Sequence, residues 1–397
     1  MEVKQIYEFV NDVTTELLGK SDLLAEDLSN LVSVGEEIES AIGYEKYTNA
    51  VVNKIGKVDF VNRTYEGGAP SVLMDGWMMG SIREKITVTV LPEAEENEGW
   101  NDFEDGRSVD PYVQRLPKVS EKFYNGLKTF EIDMTFPEYQ IRQSFQSAEQ
   151  MNGFISMIET AIRNSMTLKL DSLIQRTINK AICDTVYDDY SVGGGPMESL
   201  SSKSGIKAVN LLYLYNTKMA ALDASWTNLT AEQAITNPGF IRFAAYEMGL
   251  YADRLTRMST LFNIGKLPRF TSESLRHTIL LSEFRRAADV YLQSDTYHDE
   301  YTKLINSEVV PYWQASGQDY SFTNTSKIIY KVGENSNLTF SGVLGVMFDR
   351  FALGVANMDR RTKTIYNPKG EYYNNFYKAE AEYFVDGNEN VVVFFVA

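Results

Sequence analysis

The sequence predicts an α+β protein assembled from several parts. An apolar stripe runs from Met151 to Ile182, a span of about 46 Å if it forms one helix. Two alternating strand patterns, at 86–90 and 130–136, lie on either side of an acidic stretch. Residues 379–396 return to strand patterns. Since most globular helices have roughly 8–20 residues, a single compact core does not need so long a helix.

The composition limits the classes of function. The chain has 397 residues, of which 44% are hydrophobic and 12% aromatic, enough for two or three domains with their own cores. It has 38 Lys and Arg against 54 Asp and Glu, a formal net charge of −16, which disfavours tight binding of nucleic acid. Cys183 is the only cysteine, so no intrachain disulfide is possible, and a reducing compartment is weakly favoured.

The N-terminal residues predict neither a signal peptide nor a membrane anchor. Residues 1–45 carry apolar residues at helical spacing, typical of short amphipathic helices, and residues 67–70 (GGAP) indicate a turn. No run approaches the eighteen apolar residues that a transmembrane helix needs. We therefore expect a protein without a membrane partner.

The two strand patterns predict a long protruding hairpin. Ile86, Val88 and Val90 alternate with threonines until Pro92, and apolar residues alternate with polar ones at 130–136 until Pro137. Roughly forty turn-rich residues join the two strands, and loops of that length are often functional. Within them, residues 93–105 contain seven acidic side chains and no basic one.

The rest of the chain predicts a separate α+β unit over 197–350 and a closing hairpin. The long helix is expected to end at residues 193–196 (GGGP). Helical patterns and a strand follow, at 205–222, 239–262, 272–293 and 328–332. A turn at 386–388 (DGN) predicts that 379–385 pairs with 391–396, with the last strand buried.

No catalytic, metal or cofactor site is predicted. His277, in the 272–293 pattern, and His298 are the only histidines, and a structural or surface role is expected for each. Cys183 lies on the apolar side of the long helix and is expected to fill core space. Residues 19–21 (GKS) resemble the end of a phosphate-binding loop, but Thr14 stands where that loop needs a glycine.

The acidic stretch has three interpretations: a cation site, a solvated loop, or a contact with a neighbouring subunit. Its spacing matches no EF-hand, and a run of charges is usually a solvated loop. Aromatic residues near the acids favour the third, because aromatics anchor interfaces while charges set register. The predicted inter-subunit contacts are Glu95, Glu96, Glu98, Trp100, Phe103, Arg107, Tyr112 and Arg115.

The order of these parts resembles the major capsid proteins of tailed bacteriophages, which have the Hong Kong 97 fold. The likeness is closest to small podovirus and prophage heads of Gram-positive hosts. The segments that carry it are residues 61–65 (VNRTY), 69–77 (APSVLMDGW), 80–82 (GSI), 92–97 (PEAEEN), 129–132 (TFEI), 144–150 (SFQSAEQ), 386–388 (DGN) and 391–396 (VVVFFV). These segments span nearly the whole chain, and none of them is catalytic.

The resemblance implies a division of the chain into named parts. These are an N-terminal arm (1–60), a first piece of the peripheral or P domain (61–83), an extended E-loop hairpin (84–128), the P domain with the long spine helix (129–195), an axial or A domain (196–358) and closing P-domain strands (359–397). Lys85, Lys118 and Lys122 lie near the loop, but nothing marks one of them as reactive for the isopeptide crosslinks of some capsids.

The resemblance also implies a function and partners. Copies of the chain would self-assemble into pentamers and hexamers of an icosahedral shell that encloses double-stranded DNA without sequence-specific binding. A scaffolding protein and a portal would take part, with assembly in the host bacterial cytoplasm and a final place in the virion. Two alternatives remain: an encapsulin-type nanocompartment shell, and a carboxylate-dependent hydrolase.

Overall fold

Two β-sheets and one very long helix organise the protein. The computed structural model describes residues 72–74, 83–92, 94, 105, 112, 114, 116–137, 148–191, 197–293, 305–313, 321–332 and 336–397. The strands are β1 (Leu73–Met74), β2 (Arg83–Val88), β3 (Val119–Tyr124), β4 (Leu127–Pro137), β5 (Ala208–Asn210), β6 (Arg276–Leu281), β7 (Glu308–Val310), β8 (Ile328–Val332), β9 (Ser336–Phe340), β10 (Val343–Asp349), β11 (Leu353–Asn367), β12 (Tyr372–Val385) and β13 (Val391–Phe395). The helices are α1 (Ala148–Tyr190), α2 (Leu211–Leu222), α3 (Ala231–Thr236), α4 (Pro238–Leu255), α5 (Ser282–Gln293) and α6 (Phe322–Thr325).

The long helix is confirmed. Helix α1 has 43 residues, a length of about 65 Å, and packs against β11 and β12 of one sheet and β13 of the other. Leu173, Ile178 and Ile182 of the predicted stripe are at most 5% exposed. Thr177 and Thr185 are also buried, and each hydroxyl donates to the carbonyl four residues earlier, which satisfies it inside the helix.

A four-stranded sheet has the order β1-β11-β12-β4. Its two longest strands, β11 and β12, pair antiparallel from Leu353↔Val385 to Asn367↔Tyr372. Strand β4 pairs antiparallel with β12 from Pro137↔Tyr372 to Leu127↔Glu382. The predicted strand at 130–136 and its stop at Pro137 are therefore confirmed.

The predicted pairing of that strand is wrong. Strand β2, at the predicted 86–90, pairs with β3 and not with β4. Because β3 (VSEKFY) is short and only half apolar, its pattern is weaker than the long apolar alternation of β4. The hairpin is thus β2–β3, and the chain enters the four-stranded sheet directly after it.

A five-stranded sheet has the order β5-β13-β10-β6-β7. Strand β13 lies between β10, to which it is antiparallel, and β5, to which it is parallel. All five of its residues are buried, as predicted for the last strand. The predicted closing hairpin is wrong, however, since β12 belongs to the other sheet, and the turn after it carries the chain from one sheet to the other.

The helical prediction is right in part. Helix α2 lies within the predicted segment 205–222, which also contains strand β5, and helix α4 covers most of the predicted segment 239–262. Strand β8 confirms the strand at 328–332. The segment 272–293 contains strand β6 before helix α5, so His277 lies in a strand. The periodicity of a short apolar run does not distinguish a strand from a helix. In the structure this run forms a strand because it pairs with β10 on one side and β7 on the other.

Several predictions fall outside the described residues: the helices at 1–45, the turn at 67–70, the stop at 193–196, and His298. Over the described part of the chain, no helix is both long and apolar enough to cross a membrane.

Candidate functional site: an anchored hairpin

The β2–β3 hairpin has two different faces. Because side chains alternate along a strand, residues that pair across the hairpin share a face. One face, turned toward the body, carries Arg83, Lys85, Thr87, Ser120, Lys122 and Tyr124. The other, which we call the outer face, carries Glu84, Ile86, Val88, Val119, Glu121 and Phe123.

The outer face exposes large apolar side chains. Ile86 is 60% exposed, Phe123 61%, Val119 54% and Val88 43%, and the two valines pair directly across the strands. Leu116, close to the hairpin in sequence, is also exposed. Contiguous apolar surface of this kind usually marks a protein–protein contact. Two-stranded hairpins are also only marginally stable alone in water, so a covering partner would stabilise this one.

Two lysines anchor the face turned toward the body. Lys85 and Lys122 pair directly across the hairpin, a position in which like charges repel. Asp386 lies between them: its Oδ2 is 2.7 Å from Lys85 Nζ, and its Oδ1 is 2.9 Å from Lys122 Nζ. Its side chain is 1% exposed. One buried carboxylate therefore joins both strands of the hairpin to the turn between β12 and β13.

Glu389 extends this anchor. Lys85 also donates to Glu389 Oε1 at 2.7 Å and to the carbonyl of Phe351 at 3.3 Å. Three acceptors satisfy all three hydrogens of its ammonium group. Arg269 lies 3.6 Å from the same Glu389 oxygen and donates to the carbonyl of Val88 at 3.3 Å. The anchor therefore includes the loop before β6 as well as the turn after β12.

Aromatic contacts support the base of the hairpin. The guanidinium of Arg83 lies 4.1 Å from the centre of the Phe384 ring, and the Tyr124 ring lies 5.4 Å from the same ring. Where the hairpin joins β4, the amide of Tyr383 donates to the carbonyl of Gly126 at 2.8 Å. A Cβ at Gly126 would lie 2.4 Å from the Tyr383 carbonyl oxygen, so this close approach requires glycine.

The electrostatics of the anchor favour the charged form of Asp386. Burial would raise the pKa of this carboxyl, but hydrogen bonds from Lys85 and Lys122 outweigh it and lower the pKa to about 2. At neutral pH the ion pairs are therefore complete. Lys85 and Lys122, two of the lysines near the loop, are engaged with carboxylates of their own chain.

Of the predicted contact residues, only Tyr112 lies in the described part of the chain. It is 86% exposed and occupies a turn of the segment between β2 and β3. Glu95, Glu96, Glu98, Trp100, Phe103, Arg107 and Arg115 lie outside the described residues. Their role stays a prediction, as does the interpretation of the acidic stretch as a cation site.

The sequence did not reveal the anchor. Asp386 and Glu389 lie about three hundred residues from Lys85 along the chain. A turn motif such as DGN accounts for its aspartate by itself, so the motif does not indicate that Asp386 binds a lysine. One signal was available: the two lysines occupy the polar positions of strands whose other faces are apolar. Once the two strands are paired, these lysines lie directly opposite each other and need a carboxylate between them.

The two other residues considered for chemistry, His277 and Cys183, occupy structural positions. His277 is partly buried in β6 with its ring 5.9 Å from that of Phe348, and burial lowers its pKa. Cys183 is 1% exposed, as predicted for a core filler, and burial raises the pKa of its thiol. Among the described residues, no group of three or more His, Cys, Asp or Glu is placed to hold a metal ion.

Comparisons with known proteins identify relatives. A family model for the Phi29-like phage major capsid protein matches residues 10–395. No curated protein sequence matches the chain.

Solved structures also match. The capsid structure of Staphylococcus phage Andhra is 10% identical, with a TM-score of 0.44, over 82% of this chain and 83% of that chain. The capsid structure of cyanophage P-SCSP1u is 13% identical, with a TM-score of 0.42, over 82% and 86%. A chain from the structure of the head fiber and inner core protein of native bacteriophage P68 is 9% identical, with a TM-score of 0.46, over 83% and 85%.

Proposed function

Because the chain belongs to the Phi29-like phage major capsid protein family, we propose that its β2–β3 hairpin reaches onto a neighbouring copy and holds the shell together. The family is structural and not catalytic, so this protein forms the icosahedral shell of a phage head and is a component of the virion. Family membership also argues against both alternatives, the nanocompartment shell and the hydrolase.

The exposed outer face is the observation that carries the proposal. Four apolar side chains project from a hairpin whose other face is held by ion pairs. Glu84 and Glu121 lie among them on the same face. Apolar side chains supply the binding energy of an interface, and the charges between them set its register. A second copy of the chain is the partner that a self-assembling shell provides.

The arrangement of the Hong Kong 97 fold is part of the same proposal. The four-stranded sheet with α1 would be the P domain with its spine helix, and the five-stranded sheet would be the A domain. The bounds stay those expected from the sequence: arm 1–60, P domain 61–83, 129–195 and 359–397, E-loop 84–128 and A domain 196–358. With these bounds β13, which pairs within the five-stranded sheet, would tie the two domains together.

The remaining partners are also proposed. Pentamers and hexamers of the chain would enclose double-stranded DNA, with a scaffolding protein and a portal assisting assembly in the bacterial cytoplasm. The net charge of −16 supports a container that confines DNA without gripping it, because an acidic surface gains nothing from counterion release. The predicted contacts of Glu95, Glu96 and Glu98 would fix the position of one copy relative to its neighbour.

Negative-stain electron microscopy of the purified protein tests the proposal. The wild-type protein should form closed shells or shell fragments. The double variant Ile86→Thr/Phe123→Thr should fold but assemble poorly, because threonine keeps the strand preference and removes the apolar anchors. The matched control is Ile365→Thr, since Ile365 is 61% exposed on strand β11, outside the hairpin.

Two outcomes would contradict the proposal. Normal shells from the double variant would exclude the outer face as an assembly contact. Equal failure of Ile365→Thr would show that the assembly defect is not specific to the outer face. The variant Glu95→Lys/Glu96→Lys/Glu98→Lys tests the acidic stretch separately. It should leave folded subunits but few closed shells, and normal heads would exclude a register-setting role for these acids.

A further inference from the structure

We propose that Asp386 is a charged pivot that fixes the angle at which the β2–β3 hairpin leaves the body of the subunit. The pivot is a property of the single subunit, present before any neighbour binds. Its importance for the shell rests on the proposed function above, since a fixed hairpin presents its outer face to a neighbour in one direction.

The geometry of the carboxylate supports a pivot. Each oxygen of Asp386 binds one strand, Oδ2 to Lys85 of β2 and Oδ1 to Lys122 of β3. The hairpin is therefore held at two points on opposite strands, which resists rotation about its long axis. A single ion pair to one strand would not resist that rotation.

The carboxylate itself is held firmly. The backbone amide of Asp386 donates to the carbonyl of Ala352 at 2.6 Å, and Oδ1 accepts from the amide of Asn388 at 3.0 Å. Both amides of Ile264 and Gly265 donate to the carbonyl of Gly387. The turn that carries the pivot is thus bonded to two other segments of the body, so it gives the hairpin a rigid support.

A buried polar network fixes the far end of the same turn. Asn390 Nδ2 donates to Thr271 Oγ1 at 3.2 Å, and that hydroxyl donates to Asp349 Oδ2 at 2.8 Å. All three residues are at most 3% exposed. Because buried polar groups that are fully bonded specify one arrangement, this end of the turn has little freedom to move.

The charges around Asp386 explain why the pivot is specific to this place. Lys85 and Lys122 face it from the hairpin, Arg269 and Glu389 complete the cluster, and Arg83 lies nearby on the Phe384 ring. Without the carboxylate, the two paired lysines would repel each other at the base of the hairpin. The cluster therefore favours one docked hairpin position over alternatives that separate the lysines from Asp386.

Distance measurement between two spin labels tests the pivot. One label is placed on the hairpin with Glu121→Cys and one on helix α2 with Ala220→Cys, both exposed positions. The native thiol, Cys183, is buried and stays unlabelled. Labelled full-length subunits are diluted with unlabelled ones, so that only distances within one chain are recorded whatever the state of assembly.

The proposal predicts an order of effects. The wild-type background should give one narrow distance distribution, and Lys118→Met, which changes an exposed lysine next to β3, should give the same one. Lys85→Met should broaden the distribution about twofold or more, because it removes three hydrogen bonds of the anchor at once. Lys122→Met should broaden it less, because this half-exposed lysine makes a single bond, to Asp386 Oδ1.

Two outcomes would overturn the pivot. One is a wild-type distribution in folded Lys85→Met, and the other is equal broadening in Lys118→Met. If Lys85→Met does not fold, two milder variants decide the question by the same measurement: Lys122→Met, which removes one ion pair, and Glu389→Gln, which removes the charge that faces Lys85 and Arg269. The pivot and the proposed function fail separately: the distances judge the pivot within one chain, while shells of the outer-face variant judge the function.

Discussion

Lys207 Nζ lies 2.9 Å from Asp189 Oδ1 and 2.6 Å from Asp188 Oδ2, and so joins the last turn of α1 to the strand β5 that follows. Two acidic residues at the C-terminal end of a helix are unfavourable, because the helix dipole is negative there. Burial lowers the pKa of Lys207, but its hydrogen bonds to both aspartates outweigh this and raise the pKa above its usual value.

Substituting Lys207→Met should lower the free energy of unfolding by about 1–3 kcal/mol, because the nearly buried Asp189 keeps its two backbone amide donors but loses its cation at the negative end of α1. Urea unfolding measures the change. The matched control is Lys203→Met, since Lys203 pairs with Glu198 while both are about 40% exposed. The control should cost about 0.5 kcal/mol or less. Equal effects of the two substitutions would contradict a structural role for Lys207.

Gly126→Ala should destabilise the subunit by about 1–3 kcal/mol, because its Cβ would push the backbone of Tyr383 away and break the bond between these residues. Thermal unfolding shows whether the substitution lowers the stability of the subunit. Gly249→Ala is the control, since nothing lies within 4 Å of its added Cβ in helix α4. That substitution should stabilise by roughly 0.5–1 kcal/mol through the helix preference of alanine. A neutral Gly126→Ala would show that the junction can relax.

The stabilising contribution of Asp386 should be present at neutral pH and should change only in acid. Its folded pKa of about 2 is below the roughly 3.9 of an unfolded aspartate, so the folded state binds this proton more weakly. The contribution is complete above about pH 5 and is lost progressively as the pH falls toward 2. It amounts to on the order of 2 kcal/mol by linkage.

The measurement compares unfolding free energies of wild type and Asp386→Asn between pH 2 and pH 5. Because the other carboxylates contribute equally to both proteins, the difference in unfolding free energy reports Asp386. This difference should shrink as the pH falls through this window. A difference that stays constant over the window would show that Asp386 does not titrate with folding.

Cys183 should resist thiol reagents in the folded protein. It is 1% exposed, and burial raises the pKa of its thiol, so the reactive thiolate is scarce. Labelling by a maleimide should be slow in native buffer and rapid in denaturant, with mass spectrometry as the readout. The single-cysteine variant Ala220→Cys/Cys183→Ala, at an exposed position, serves as the rapidly labelled control. Fast native labelling at Cys183 would contradict the packing of α1.

Much of the fold could be predicted from local patterns. The stripe through Leu173 and Ile178 predicts α1, and the alternation from Phe130 to Phe136 predicts β4, because both elements repeat one face many times. The buried last strand follows from the apolar run at 391–396. Long elements with a strong period carry enough signal to be recognised without tertiary information.

The pairings could not be predicted. Strand β4 pairs with β12, more than two hundred residues away, and β13 pairs with β10 and β5 instead of its neighbour β12. The choice of partner depends on packing across the whole domain, which a local pattern does not record. The same holds for the anchor: Lys85 is an ordinary polar strand residue until Asp386 is brought beside it.

The position of Asp386 in the chain has a consequence for synthesis. The hairpin lysines are translated early, whereas their carboxylate partner arrives some three hundred residues later. A nascent chain can form the β2–β3 pairing but has nothing to lock it against until residues 386–389 leave the ribosome. If Asp386 sets the hairpin angle as proposed, a chain that has not yet made residues 386–389 cannot hold the apolar outer face in the direction that a lattice contact needs.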